Sequence, residues 1–232
     1  MNKHAIHPTQ MRILYDLRRV ESARFSELMK PSKLESDVFK FHIKKLLKFG
    51  YIQKFDERYV LTPAGKEFAN NLDHVRRVVQ KQPKLSVLIV VGRTSDSGEP
   101  EFLFHQRKRH PYFDFWGFLS GPVQWGEAAA VTAARELKKQ TGLEADFTVH
   151  AFYRQRDYLD PDGLVEDKLF IVARANNIRG EPDIAWSGGI SSWMTPAECK
   201  QQEKYFASTE EVLDLKKGDY TSRDLLYNTK QY

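Results

Sequence analysis

Hydrophobic spacing changes character at Gln80-Lys-Gln-Pro-Lys84, and that change divides the chain. Upstream, apolar residues recur at helical spacing; downstream they gather in strand-length runs. Pro83 cannot carry a helix across the joint. The 232 residues suit two small domains, and the sequence predicts them over 1–82 and 83–232. Charge divides at the same place. Residues 1–82 hold 17 basic and 9 acidic side chains, a net of +8; residues 83–232 hold 19 and 22, a net of −3. That asymmetry points to a polyanionic partner for the first domain alone. The longest apolar run, Leu85-Ser-Val-Leu-Ile-Val-Val91, is far shorter than the ~20 residues of a membrane helix. Met1–His7 has no apolar stretch of signal-peptide type. Cys199 is the sole cysteine, so no intrachain disulfide can form, and an inert small residue is expected there. Together these features predict a cytoplasmic protein without membrane contact.

In the first domain, Met11, Leu14, Tyr15 and Leu17 mark a helix that starts near Pro8. Phe25–Met29 reads as a short second helix. A third runs from about Glu35 to Phe49, with Val38, Phe39, Ile43, Leu46 and Leu47 as its core face and Gly50 as its cap. Its other face gathers Lys33, Ser36, Asp37, Lys40, Lys44, Lys45 and Lys48, with His42 at an edge. Tyr51–Leu61 predicts a hairpin around Asp56-Glu57-Arg58, and Thr62-Pro63 starts a helix predicted to reach about Val79. This order resembles the winged helix-turn-helix of MarR-, PadR- and ArsR-like regulators over roughly residues 5–80. Leu46-Leu-Lys-Phe-Gly-Tyr-Ile52 is similar to the end of their recognition helix, and Leu61-Thr-Pro-Ala-Gly-Lys66 to the exit from their wing. The resemblance implies double-stranded DNA as a partner, met by Lys33, Ser36, Lys40, Lys44 and Lys45 in a major groove. Arg58 at the hairpin tip would touch a phosphate or minor groove, weakened by Asp56 and Glu57. It also implies a homodimer, with the 63–79 helix and the polar C-terminal tail as candidate interfaces. Winged helices also dock proteins, and lysines on a helix are often merely solvated.

In the second domain, strands are predicted at 85–92, 101–107, 147–158 and 168–175, with an alanine-rich helix at about 127–141. Trp193-Met-Thr-Pro-Ala-Glu198 reads as a strand end followed by a capped helix, and residues 200–232 as helix and loop. The most informative stretch is Gly121-Pro-Val-Gln-Trp-Gly-Glu127, then seven residues, then Arg135-Glu136-Leu137-Lys138-Lys139-Gln140-Thr141-Gly142-Leu143. It resembles the Nudix box, G-x5-E-x7-R-E-U-x-E-E-x-G-U, where U is aliphatic. Gly121, Glu127, Arg135, Glu136, Leu137, Gly142 and Leu143 match it; Lys139 and Gln140 stand where the family has paired glutamates. Phe102–Arg107 and Trp116-Gly-Phe-Leu-Ser-Gly-Pro122 look like the strands leading to that box, with Ser-Gly-Pro in place of Pro-Gly-Gly. The resemblance covers about residues 84–200 and implies an α/β/α sandwich with a mixed sheet. The whole chain is then a two-domain α+β protein.

The Nudix resemblance implies hydrolysis of nucleoside diphosphates linked to another moiety, with magnesium or manganese held by carboxylates. Glu136 and residue 140 share a helix face, with residue 139 beside them. Three glutamates would carry −3; Glu136, Lys139 and Gln140 sum to zero. Glu136 is thus the single candidate catalytic and metal-binding residue, and the ion is required only if the domain is catalytic. Arg135 is expected to pair with Glu127. Glu166 and Asp167, just before the predicted 168–175 strand, are candidates for replacement carboxylates. Arg107, Trp116, Glu127, Arg135, Lys139 and Gln140 are candidate ligand contacts, Lys139 to a ligand phosphate in place of metal. Phe113, Phe115, Trp116 and Trp125 would either stack on a nucleobase or fill the core.

The sequence leaves two main readings. One is a transcriptional regulator whose second domain senses a nucleotide-derived metabolite; it resembles bacterial Nudix-related regulators with ADP-ribose-like effectors, which usually place the Nudix domain first. The other is a Nudix hydrolase with an appended winged helix. A scaffold that uses both modules only for protein contacts is a third.

Overall fold

The computed structural model describes residues 6–73, 78–183, 185–228 and 231–232. The chain divides into two compact units, residues 1–81 and 82–232.

The first unit contains α1 (Pro8–Arg18), β1 (Ala23–Arg24), α2 (Phe25–Met29), a 3-10 turn (Lys30–Ser32), α3 (Ser36–Lys48), β2 (Ile52–Phe55), β3 (Arg58–Leu61), α4 (Pro63–Asn70), β4 (Leu72–Asp73) and β5 (Val78–Val79). α1 begins where His7 and Gln10 cap one another and Pro8 fills the first turn. Ile13, Leu14 and Leu17 of α1 pack with Phe39, Ile43 and Leu46 of α3 to form the core. β1, β3 and β2 form a small antiparallel sheet in that order, β2 and β3 being the hairpin. α4 can enter close to this core because residue 65 is glycine: a Cβ there would meet the Tyr51 carbonyl oxygen at 1.8 Å.

Two expectations are corrected in this unit. α3 buries Phe39, His42, Ile43 and Leu46, whereas Val38 and Leu47 are 46% and 36% exposed. His42 therefore belongs to the inner face, where its ring stacks on His7 with centroids 4.4 Å apart. The last helix stops at Asn70 rather than near Val79. Asn70-Asn71 are poor interior helix residues, and the chain turns back to pair Leu72 with Val79. Residues 74–77 of the expected helix lie outside the described residues.

The second unit contains β6 (Lys84–Val90), β7 (Gly92–Thr94), β8 (Pro100–Arg107), β9 (Trp116–Pro122), α5 (Ala129–Thr141), β10 (Glu144–Leu159), β11 (Gly163–Arg179), β12 (Ala185–Trp186), β13 (Gly189–Met194), α6 (Pro196–Lys200), α7 (Ser208–Asp214) and β14 (Tyr220–Tyr227). They build a nine-stranded sheet in the order β12-β13-β8-β9-β6-β11-β10-β14, with β7 beside β8. It is mixed: β6–β11 and β10–β14 pair in parallel, and the rest are antiparallel. Strand alternation sends neighbouring side chains to opposite faces. Val87, Ile89, Leu119 and Ala173 meet Ala133 and Leu137 of α5 on one face. Val90, Ala151, Tyr153 and Val172 meet Val212 of α7 on the other. The result is the expected α/β/α sandwich.

The polar tail departs from expectation. Residues 220–227 are a strand, paired in parallel with β10. Its partner is more than sixty residues away, so its own spacing carries little signal. No helix among the described residues is long and apolar enough to cross a membrane.

Candidate functional site

The stretch from Gly121 to Leu143 folds as the end of β9, a loop and α5. Gly121 is required here, because a Cβ would lie 2.2 Å from Glu136 Cγ. Gly142 ends α5 in the left-handed region at φ 74°. Arg135 donates through Nε to Glu127 Oε1 and through a terminal nitrogen to Glu127 Oε2, each at 2.8 Å. Thr132 Oγ1 and the Gln124 amide also donate to Oε2, at 2.7 and 3.3 Å. Arg135 and these other donors hold the Glu127 carboxyl down to about 2. This pair ties the loop to the helix.

Glu136 is buried, and both its oxygens are engaged. Oε1 accepts from Arg135. Oε2 accepts from Gln140 Nε2 at 2.8 Å and lies 3.6 Å from the Lys139 ammonium. Gln140 also donates to the Ser120 carbonyl at 3.1 Å. Lys139 lies over the Trp186 ring, 5.6 Å from its centroid. The candidate carboxylates outside this stretch are committed as well. Glu166 and Asp167 sit within β11, not in a loop. Glu166 pairs with Lys84 at 2.8 Å and Lys168 at 3.4 Å, and Asp167 with Arg154 at 2.8 Å.

A cavity opens on the α7 side of the sheet. Its space, open solvent at the mouth included, is about 690 Å³. Arg107, Arg109 and Lys168 contribute cationic groups to its lining; Phe118, Tyr153 and Phe206 contribute rings. Gln140 reaches the same space from α5. Among the described residues no Asp or Glu lines it. Burial chiefly, with Arg107 next, lowers the His105 imidazole in the wall to about 4, so it is neutral at ordinary pH. Arg107 spends its Nε on the Pro111 carbonyl at 3.1 Å.

Of the residues singled out in the sequence, Arg107 and Gln140 line this cavity. Glu127, Arg135 and Lys139 belong to the box cluster beside it. Trp116 instead packs with Phe104, Met194 and Cys199. Phe115 is core, packed with Tyr112 and Tyr227, while Trp125 is fully exposed. Arg109, Lys168 and Phe206 escaped sequence reasoning, since each is brought in by a strand pairing or loop distant in sequence. Cys199 is fully buried and its thiol is pushed up to about 12 by that burial, as expected of an inert residue.

In the first unit, Lys40, Lys44, Lys45 and Lys48 project from the exposed side of α3, and none has an ion pair among the described residues. Ser36 opens the helix and Lys33 precedes it, in the left-handed region at φ 55°. Phe41, 55% exposed, lies among these lysines and was missed in the sequence; Lys45 Nζ is 5.5 Å from its ring centroid. Arg58 is not at the hairpin tip. The tip is Asp56-Glu57, both at positive φ, as a two-residue turn of this hand requires. Arg58 is the first residue of β3 and points back, donating to Ser22 Oγ at 2.7 Å and pairing with Glu27 at 3.4 Å.

Residues 82–215, more than half of the chain, match the NUDIX domain family. The chain belongs to the Nudix family. Residues 9–80 match a winged helix-turn-helix, so the Nudix domain follows a winged helix here. Among solved structures, the NUDIX domain of Shewanella oneidensis NrtR complexed with ADP ribose is 20% identical, covering 66% of this chain and 96% of that one, with a TM-score of 0.50. The mutator MutT protein of Bacillus halodurans is 18% identical, covering 64% and 93%, also at 0.50. At these identities the likeness establishes the fold. No curated protein matches the sequence.

Nudix hydrolases use divalent metal ions, and the donor set here does not suit one. Of the box trio only Glu136 is a carboxylate, and Arg135, Gln140 and Lys139 already address both its oxygens. Among the described residues no group of three His, Cys, Asp or Glu is arranged to hold a metal ion. A glutamate at 140 would face Glu136 at about the 2.8 Å of the present hydrogen bond; two carboxylates that close need a cation or a shared proton between them. With glutamine the contact is satisfied without one. This Nudix box is closed on itself by hydrogen bonds.

Proposed function

We propose that this protein is a DNA-binding transcriptional regulator whose Nudix domain binds a nucleotide-derived anion and does not hydrolyse it. The cavity carries the reading: three cationic side chains and several rings line it, while the carboxylate beside it is neutralised by its own neighbours. Cations suit phosphates and rings suit a base or sugar face. On the first unit, the lysines of α3, without ion pairs among the described residues, suit a phosphate backbone, and Ser36 and Phe41 on the same exposed side would meet base edges. Binding as a homodimer to two half-sites belongs to the same reading. ADP-ribose is the first effector to try, because the NrtR Nudix domain was crystallised with it.

The test uses the full-length protein and fluorescently labelled duplex DNA. Binding should weaken steeply from about 50 to 200 mM salt, and saturating ADP-ribose should shift the affinity. If no duplex binds in a salt-sensitive way, the regulator reading fails. If the protein instead turns over ADP-ribose with magnesium or manganese, and Glu136→Gln abolishes that turnover, the hydrolase reading replaces it.

A further inference from the structure

We propose that this Nudix domain binds its anionic ligand without a divalent metal, with Arg107, Arg109 and Lys168 supplying the positive charge that metal supplies to its relatives. The inference rests on the effector reading of the cavity and specifies how that site holds a nucleoside diphosphate.

The first ground is placement. Arg107 ends β8, Arg109 follows in the next loop, and Lys168 comes from β11, yet all three reach one cavity. Neither arginine has an ion pair among the described residues. The carboxylates of the neighbourhood lie behind the wall. Asp157 is fully buried, accepting from Tyr112 Oη at 2.5 Å and Gln155 Nε2 at 2.8 Å. Glu166 is shared between Lys84 and Lys168. Neither carboxylate is among the lining residues, and both arginines stay without an ion pair among the described residues, so the lining is cationic in excess.

The second ground is electrostatic tension. Burial, and then the neighbouring Arg109 charge, hold Arg107 below the usual guanidinium range. Burial likewise lowers the Lys168 ammonium; Glu166 and Asp157 oppose that shift, and Arg107 adds to it. Gathering like charges in a partly buried space has a cost that an incoming anion removes. A diphosphate brings charge of the needed sign and acceptor oxygens for the guanidinium forks.

The third ground is the box itself. A metal-dependent site needs carboxylates left over for the ion, and here Glu136 has none to spare. Lys139 and Gln140 therefore do more than abolish a metal site. They leave the ligand's charge to the cations that line the cavity.

The experiment is calorimetric titration of the intact protein with ADP-ribose and, separately, inorganic diphosphate, first in EDTA and then in excess magnesium. At least one probe should bind in EDTA, with affinity changed less than about twofold by magnesium. Arg109→Gln, at an exposed position that does not endanger the fold, should weaken binding about tenfold or more, the loss of one charge-assisted contact. Lys168→Met should do the same, with an unchanged melting profile as its control. Binding only with magnesium, and lost in Glu136→Gln, overturns this inference and leaves the effector reading standing. No binding of either probe in either condition overturns both. Binding in EDTA that is indifferent to Arg109→Gln and Lys168→Met overturns the assignment of these cations.

Discussion

At the scale of single residues, the box shows how two substitutions turn a cluster that demands a cation into one that satisfies itself. Gln140→Glu in the present background should lower thermal stability in EDTA, because it sets two carboxylates at hydrogen-bond distance. Manganese should recover part of the loss. A melting curve that ignores both substitution and metal would contradict this account. Glu127 gives a pH signature with a definite sign. Its folded carboxyl titrates near 2, below its ordinary value of 4.5, chiefly through Arg135. It therefore contributes stability above pH 4.5 and loses that contribution as pH falls toward 2. Denaturant titrations at several pH values should show a flatter acid limb in Glu127→Gln than in the wild type. The matching residues were readable in the sequence because loop, salt bridge and helix lie within 23 positions. Of the cavity's cations only Arg107 was named from the sequence; Arg109 and Lys168 reach the same cavity only after β8 and β11 take their places in the sheet.

At the scale of elements, the winged helix was legible in order but less so in detail. Helix spacing identified α1, α2 and α3, and Thr62-Pro63 marked the start of α4, whose Thr62 hydroxyl accepts from the Gly65 amide at 3.0 Å. The inward face of α3 was read correctly at Phe39, Ile43 and Leu46 but not at its edges, where hydrophobicity favoured Val38 and Leu47 over the buried His42. Arg58 was assigned to the hairpin tip because the polar stretch Asp56-Glu57-Arg58 was read as the tip, whereas Arg58 pairs with Phe55 and leaves a two-residue turn. Gly65→Ala should destabilise the first unit by about 2 kcal/mol or more, since the added methyl must displace the Tyr51 backbone. Urea unfolding would measure it. On DNA, Lys44→Ala should lower the magnitude of the salt slope by about 1, as expected for one lost phosphate contact. Phe41→Ala should instead reduce preference among duplexes selected from a random pool while leaving the slope intact. Equal loss on every sequence would place Phe41 outside base recognition.

At the scale of the molecule, the joint at Pro83 separates two units with opposite net charge, and each half was recognisable from a different kind of signal. The first carried periodicity and basic charge; the second carried a spaced motif. Sheet order could not be read, because β6 and β11 join segments some eighty residues apart and β14 returns to β10 across a similar span. The single cysteine gives this two-part molecule an unplanned probe. Cys199 lies in the second unit, sealed among Phe104, Met194 and Trp116, and residues 1–81 contain no thiol at all. Disulfide-exchange reagents should therefore react only when the Nudix half opens, so the rate of thiol capture in the unmodified chain follows one half while the other stays silent. Adding effector should slow that capture, and adding DNA alone should reveal how far an event at one end is felt at the other.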